Sequence, residues 1–274
     1  MIKNTRKQIV LGAIAGDVFG SIYEWNNIKT AEFNLFNDEC KITDDTVLSI
    51  AIADSLLNNC NFKNTLLMYG RKYSSYPYGP SFVNWLSSEE QNPYYSYGNG
   101  SAMRVSAIGA FFNDLSSVIN YAKKSAEITH NHPEGIKGAQ AVAAAIFLAK
   151  SGKNKKDIKD YITLEFKYDL NFTLENIRSS YQFDVSCQGS VPQAIVAFLE
   201  SNSYENAIKI AISIGGDSDT IACITGGIAS AFYKEISSEI TEFVLNKLPI
   251  EFKEILEKFE KLEFDNIQDN FDIN

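Results

Sequence analysis

The stretch that most constrains this chain lies late, at residues 212–231 (ISIGGDSDTIACITGGIASA). Gly215 and Gly216 allow the backbone to turn tightly. Asp217, Ser218, Asp219 and Thr220 follow at once, and the remainder is small and apolar at helical spacing. The pattern predicts a loop that delivers two carboxylates and two hydroxyls to the first turn of a buried helix. A cap needs only one such oxygen; here there are four in a row. The same arrangement stands far upstream, where Thr43, Asp44, Asp45 and Thr46 open the helical run VLSIAIADSLL.

Two readings of these paired helix starts are open: two unrelated caps, or two ends that face one another. In the second case, carboxylates ~5 Å apart repel by roughly 3 kcal/mol at an effective dielectric of ~20. A helix N-terminus returns only ~0.3–1 kcal/mol per favourable charge. Clustered carboxylates would therefore require a cation, and an all-oxygen ligand set selects Mg²⁺, Mn²⁺ or Ca²⁺ over zinc or copper.

Composition narrows the partners. The net charge of −9 over 274 residues disfavours nucleic acid, which needs clustered basic residues. The densest basic patch, residues 153–160 (KNKKDIKD), is diluted by Asp157 and Asp160 and reads as a solvated helix face. Cys40, Cys60, Cys187 and Cys223 show no metal spacing, and a reduced, cytoplasmic chain is the expectation. No run approaches the ~20 apolar residues of a membrane span, so no membrane partner is expected. Lys3, Arg6 and Lys7 before the apolar residues 9–15 imitate a secretion signal, but Asp17 ends the run at once. A buried first helix is expected instead.

Taken in order, residues 8–25 read as a helix with Gly12, Gly16 and Gly20 at every fourth position, a spacing that permits close packing on another helix. Asp17 and Glu24, seven apart, would lie near one face of it. Each is either a hydrogen-bonded surface carboxylate or part of the cation cluster. Residues 69–98 are dense in tyrosine, as in irregular packed loops or loops that line a pocket. Gly98, Asn99, Gly100 and Ser101 form a loop before a helix, a weak signal for phosphate and neither a P-loop nor GxGxxG. His130 and His132 have no cysteine nearby, and a hydrogen-bonding or phosphate-contacting role is expected rather than zinc. Helices are expected at 138–149, 155–166, 173–182 and 204–213, and two more over 237–261. A loop with Pro192 near the first turn of its helix is expected at 186–201. An acidic, frayed end is expected at 265–274. With helical periodicity throughout and no alternating strand series, the expectation is one all-α domain over 1–274.

Together GAIAGDVFGSIYE, TDDT, GNGSAMR, THNHPEGIKGA and GGDSDT, in this order, resemble the ADP-ribosylglycohydrolase family. That family includes dinitrogenase reductase-activating glycohydrolases and the eukaryotic ADP-ribosylarginine and ADP-ribosylserine hydrolases. The resemblance implies an orthogonal helical bundle with two adjacent Mg²⁺ (or Mn²⁺) ions in a loop-lined cleft. It implies Thr43, Asp44, Asp45, Asp217, Asp219 and Thr220 as metal ligands, and Glu24 as a gate or catalytic acid at the metal centre. Asn99, Gly100, Ser101 and Met103 would cradle ADP-ribose, and His130 would contact its phosphates. His132 belongs to an extended form of that motif. Lys234 stands where many relatives end the helix with glycine.

The implied reaction is hydrolysis of the C1″ glycosidic bond of an ADP-ribosylated protein side chain or small ADP-ribose conjugate, through an oxocarbenium-like transition state. Asp44 or Asp45 would be the base that orients water. Two alternatives stand beside it: a non-catalytic ADP-ribose-binding or crystallin-like relative, and a metal-dependent nucleotide phosphohydrolase that would release AMP. The complete ligand set argues against a purely structural role. The acceptor, whether arginine, serine, base or small molecule, is not encoded in these motifs.

Overall fold

The computed structural model describes residues 6–59 and 61–262. The expected acidic end at 265–274 and the side chain of Cys60 lie outside them. Among the described residues the chain is all-helical, in fifteen helices: α1 (Arg6–Gly20), α2 (Asp44–Leu57), α3 (Phe62–Lys72), α4 (Pro80–Ser87), α5 (Gly100–Met103), α6 (Ser106–Phe111), α7 (Leu115–Glu127), α8 (Pro133–Lys150), α9 (Lys155–Phe166), α10 (Leu174–Arg178), α11 (Cys187–Glu200), α12 (Tyr204–Ile212), α13 (Ser218–Tyr233), α14 (Ser238–Lys247) and α15 (Ile250–Lys261). One isolated antiparallel bridge pairs Gly98 with Ser186. No described helix is long and apolar enough to cross a membrane.

The helices begin where short polar side chains replace the missing i−4 acceptor of the first turn. Thr43 accepts from the Asp45 amide, Asn61 from Lys63, Asp114 from Ser117, Asn154 from Asp157 and Ser203 from Asn206. At the far end of α13, Lys234 closes the helix in the left-handed region at φ 57°. The non-glycine residue therefore does not extend the helix; it accepts strain of about 1–2 kcal/mol instead.

The centre of the molecule is the pairing of α1 with α13. Both are buried nearly all round, and glycine sets the distance between them. A Cβ on Gly12 would lie 2.3 Å from Ser230 Oγ, one on Gly16 2.0 Å from the Ala222 carbonyl oxygen, and one on Gly20 2.5 Å from Asp219 Cα. The Tyr204 hydroxyl donates to the Gly12 carbonyl at 2.7 Å, so α12 locks the same seam. This close approach brings the C-terminal end of α1 against the N-terminal end of α13, where Asp17 and Asp219 sit.

Several sequence expectations change in detail. α1 stops at Gly20, so Glu24 lies on the following turn rather than on a shared helix face with Asp17. Residues 187–191 are helical, which puts Pro192 in the interior of α11. The ring forgoes one bond to the Gln188 carbonyl, and Gln188 is exposed to solvent, where water can replace it. The tyrosine-rich stretch is partly helical: α3 ends at Lys72 and α4 occupies its middle. Tyr69 and Tyr73 pack against Phe252 of α15, core positions rather than pocket ones. Lys155, expected on a solvated face, is half-buried over the rings of Phe198 and Phe232 at 5.1 and 5.7 Å. Its Nζ donates to the Leu199 carbonyl and the Tyr233 hydroxyl. The alkyl stem and cation together tie α9 to α11 and α13.

Candidate metal centre and active site

The two polar helix starts face one another. Asp44 and Asp45 from α2, Asp217, Asp219 and Thr220 from the start of α13, and Glu24 from the turn after α1 line one cavity of about 420 Å³. That is a size ordinary for a small-molecule site. Carboxylate oxygens of Glu24, Asp217 and Asp219 all lie within 4.8 Å of one another. The Thr220 hydroxyl donates to Asp45 Oδ2 at 3.2 Å, which joins the two helix starts directly.

The capping explanation fails for the acids themselves. Asp217 occupies the N-cap position of α13 yet makes no side-chain cap bond; its Oδ2 accepts instead from Asn99 Nδ2 at 2.7 Å. At α2 the cap is Thr43, which frees Asp44 and Asp45. Asp45 Oδ1 is buried without any hydrogen-bond partner. An orphaned carboxylate oxygen in a cluster of acids is a costly arrangement, and a hard cation would resolve it. The residues fit a divalent-metal site in donor chemistry, burial and convergence.

Electrostatics state the same need. Burial, and then the neighbouring Asp217 and Asp17 charges, push Glu24 up to about 7. Burial and the Asp17 charge push Asp44 up to about 8. Asp45 and Asp219 are driven well above the usual carboxylate range by burial and by the other acids. These acids bind protons more tightly folded than unfolded. Stability present at low pH is therefore lost as pH rises from about 4, the ordinary carboxyl value, through the raised values near 7 and 8. In EDTA the melting temperature is expected to fall between pH 5 and pH 8.5. Mg²⁺ should suppress most of that fall, as measured by thermal denaturation in paired buffers. A flat profile in EDTA would contradict the mutual repulsion.

Asp17 belongs to neither of the roles expected for it. It is fully buried and does not line the cavity. Its carboxylate accepts from the Thr43 amide at 3.0 Å, the Thr46 amide at 3.1 Å, the Thr43 hydroxyl at 2.8 Å and the Thr46 hydroxyl. It holds the first turn of α2 in place and so aims Asp44 and Asp45. Thr43, expected among the ligands, spends its hydroxyl on Asp17 and on the cap, and does not line the cavity.

The loop carrying Glu24 is latched to the double-glycine turn by Asn27, a residue outside every motif. Its Oδ1 accepts from the Gly216 amide at 2.7 Å, and its Nδ2 donates to the carbonyls of Gly216 at 3.0 Å and Glu24 at 2.9 Å. Gly215 and Gly216 both have positive φ, 68° and 76°, and a Cβ on Gly215 would lie 2.9 Å from Asn27 Oδ1. Asn27→Ala is expected to lower kcat about tenfold by releasing Glu24. It should cost only about 1 kcal/mol of stability, because the side chain is exposed. Steady-state rates beside a melting curve check this, and an unchanged kcat would remove Asn27 from the positioning set.

A second wall of the cavity carries hydrogen-bond donors. Gly98, Asn99, Gly100, Met103, Arg104, Tyr94 and His130 line it. Asn99 also donates to Ser190 Oγ, and its amide bonds the Val185 carbonyl at 2.7 Å. Ser101, expected in the ligand cradle, instead donates to the Gly135 carbonyl at 2.8 Å and does not line the cavity. Burial and the adjacent Arg104 charge hold His130 well below its usual value, so it is neutral at pH 7. Arg104 is fully buried and donates to the Ser125 carbonyl and the Thr129 hydroxyl. Its Nε and Nη1 have no partner. Thr129 in turn bonds His130 Nδ1 at 2.7 Å. His132 caps α8 through Nδ1 and packs against Tyr95 and Tyr97, a structural position.

A profile of the ADP-ribosylglycohydrolase family matches residues 4–266. The chain belongs to that family. Similar proteins include ADP-ribosylhydrolase ARH3 of Gallus gallus, 28% identical with 82% of this chain and 84% of the relative aligned. ARH3 of Homo sapiens is 26% identical over 81% of this chain and 83% of the relative. A solved structure described as an ADP-ribosylglycohydrolase-related protein complex superposes with a TM-score of 0.72, covering 94% of this chain and 96% of its own at 20% identity. That last likeness establishes the fold. The acidic cluster is consistent with the dimetal site of an ADP-ribosylglycohydrolase, and membership supports hydrolysis of ADP-ribose conjugates as the class of activity.

Proposed function

We propose that this chain, acting as one domain, is a metal-dependent hydrolase that cleaves the C1″ glycosidic bond of ADP-ribosylated side chains or small ADP-ribose conjugates and releases ADP-ribose. The observation that carries the reading is a single cavity with two chemistries. Carboxylates converge at one wall with an orphaned buried oxygen on Asp45. At the other, neutral His130 and buried Arg104 stand beside the glycine loop at 98–100. The first suits divalent cations and the second a diphosphate.

Asp44, Asp45, Asp217, Asp219 and Thr220 would hold two Mg²⁺ or Mn²⁺ ions. Bound there, these would supply Lewis acidity and an acidified water. The chain's own residues do the rest. Asp44 or Asp45 accepts a proton from the attacking water as its oxygen bonds to C1″, and the C1″–acceptor bond breaks. Glu24, held by Asn27 beside Asp217 and Asp219, stands where the departing acceptor atom takes up a proton. Gly98, Asn99, Gly100 and Met103 fix the ADP-ribose half, with His130 on its phosphate side.

Turnover of an ADP-ribosylated peptide in H₂¹⁸O tests the bond assignment. The label is expected on the C1″ hydroxyl of released ADP-ribose. Label on a phosphate would assign the chemistry to the pyrophosphate and overturn the reading.

A further inference from the structure

Beside the acid cluster the cavity mouth carries an exposed aromatic pair outside every motif that identifies the family. Trp25 and Phe183 stack with ring centroids 5.2 Å apart and planes inclined by 23°. Both line the cavity, as does the neighbouring Val185. All three are solvent-exposed, Trp25 at 76%. Together they make an exposed apolar patch at a cavity mouth, the kind of surface that marks a binding site. The chain's other tryptophan, Trp85, is buried against Phe82.

The position of the pair decides what it meets. Trp25 directly follows Glu24, whose carboxylate is within 4.8 Å of those of Asp217 and Asp219. A group lying on the Trp25 ring is therefore at the reacting end. The adenine of ADP-ribose lies a ribose and a diphosphate away from the bond being broken, so the group at the mouth is the acceptor. An open aromatic face at the mouth recognises a flat cation through stacking and cation–π attraction.

Building on the proposed glycohydrolase reading, we propose that Trp25 and Phe183 form the acceptor platform and select conjugates with a planar cationic leaving group, a guanidinium, over an aliphatic hydroxyl. The platform acts on specificity and leaves the metal-site carboxylates to the chemistry.

The test compares kcat/KM for matched mono-ADP-ribosyl-arginine and mono-ADP-ribosyl-serine peptides in the full-length wild type, Trp25→Ala, Trp25→Phe and Phe183→Ala. The arginine-to-serine ratio is expected to fall about tenfold in Trp25→Ala and Phe183→Ala, within the range of one desolvated cation–π contact, and to recover in Trp25→Phe. A ratio within twofold of wild type in both alanine variants overturns the proposal. A binding arm separates this outcome from failure of the glycohydrolase reading. Acrylamide quenching of the exposed Trp25 is followed as each peptide is added with Mg²⁺. Shielding by the arginine conjugate but not the serine conjugate supports the platform even if neither is hydrolysed. Equal shielding, or none, overturns it.

Discussion

Asp45→Asn is expected to lose at least about a thousandfold in kcat/KM while melting, in EDTA, no lower than wild type. The activity loss follows from the position of Asp45, one of the two candidate bases, for which removal costs on the order of 10²–10⁴-fold. It is also one of the oxygen donors where the two helix starts meet. The stability result follows from the same carboxylate seen without a cation. Asp45 is buried, one oxygen is orphaned, and its affinity for a proton is raised by burial and by Asp17, Asp44 and Asp217. The amide is isosteric and removes a charge that its neighbours repel. Activity and metal-free stability should thus move in opposite directions, which damage to the fold would not produce. The Mg²⁺-dependent rise in melting temperature should shrink in the variant, since a ligand that binds only the folded state stabilises it by about 2.7 kcal/mol at 100 times its Kd. Rates within tenfold of wild type would remove Asp45 from the centre.

Gly16→Val is expected not to fold. In an exposed helix, replacing glycine stabilises by about 0.5–1 kcal/mol; here the sign reverses. The first added carbon would lie 2.0 Å from the Ala222 carbonyl oxygen, 2.4 Å from its carbon and 2.7 Å from the Cys223 amide nitrogen. All three are backbone atoms of α13 and cannot rotate away. The two central helices must separate, which breaks the seam at Gly12 and Gly20 and displaces Asp219 from the cavity. Even Gly16→Ala should lose about 3 kcal/mol or more, at the upper end of overpacking. Gly79→Ala, where a Cβ meets nothing within 4 Å, should stay within about 0.5 kcal/mol. Chemical denaturation of the two alanine variants measures the contrast, and equal stabilities would contradict the packing account.

Periodicity made the helices legible, and the three α1 glycines announced a close helix contact. The acids were legible because four oxygen-bearing residues in a row exceed what a cap requires, twice. What could not be read is whatever depends on tertiary direction. Asp17 stands alone in an apolar run and Asp44 inside the TDDT row, yet neither setting tells that Asp17 braces that turn while Asp44 lines the cavity. Thr43 and Ser101 sit inside the correct motifs, yet their hydroxyls turn toward Asp17 and Gly135. Asn27 and Trp25 lie in a stretch without regular structure, and their partners Gly216 and Phe183 are more than 150 residues away. Only the folded chain reveals those pairings. α1 is shorter than its pattern for a related reason: residues 21–25 continue the helical spacing, but Gly20 packs against the backbone of Ser218 and Asp219 at the start of α13, and the chain leaves the helix there.

The most direct test of the central claim is the product released from mono-ADP-ribosyl-arginine and mono-ADP-ribosyl-serine peptides by purified protein, with Mg²⁺ and then with EDTA, identified by mass. Intact ADP-ribose is expected, released with Mg²⁺ and abolished by EDTA. AMP as the product, or release of ADP-ribose that EDTA leaves untouched, would contradict it.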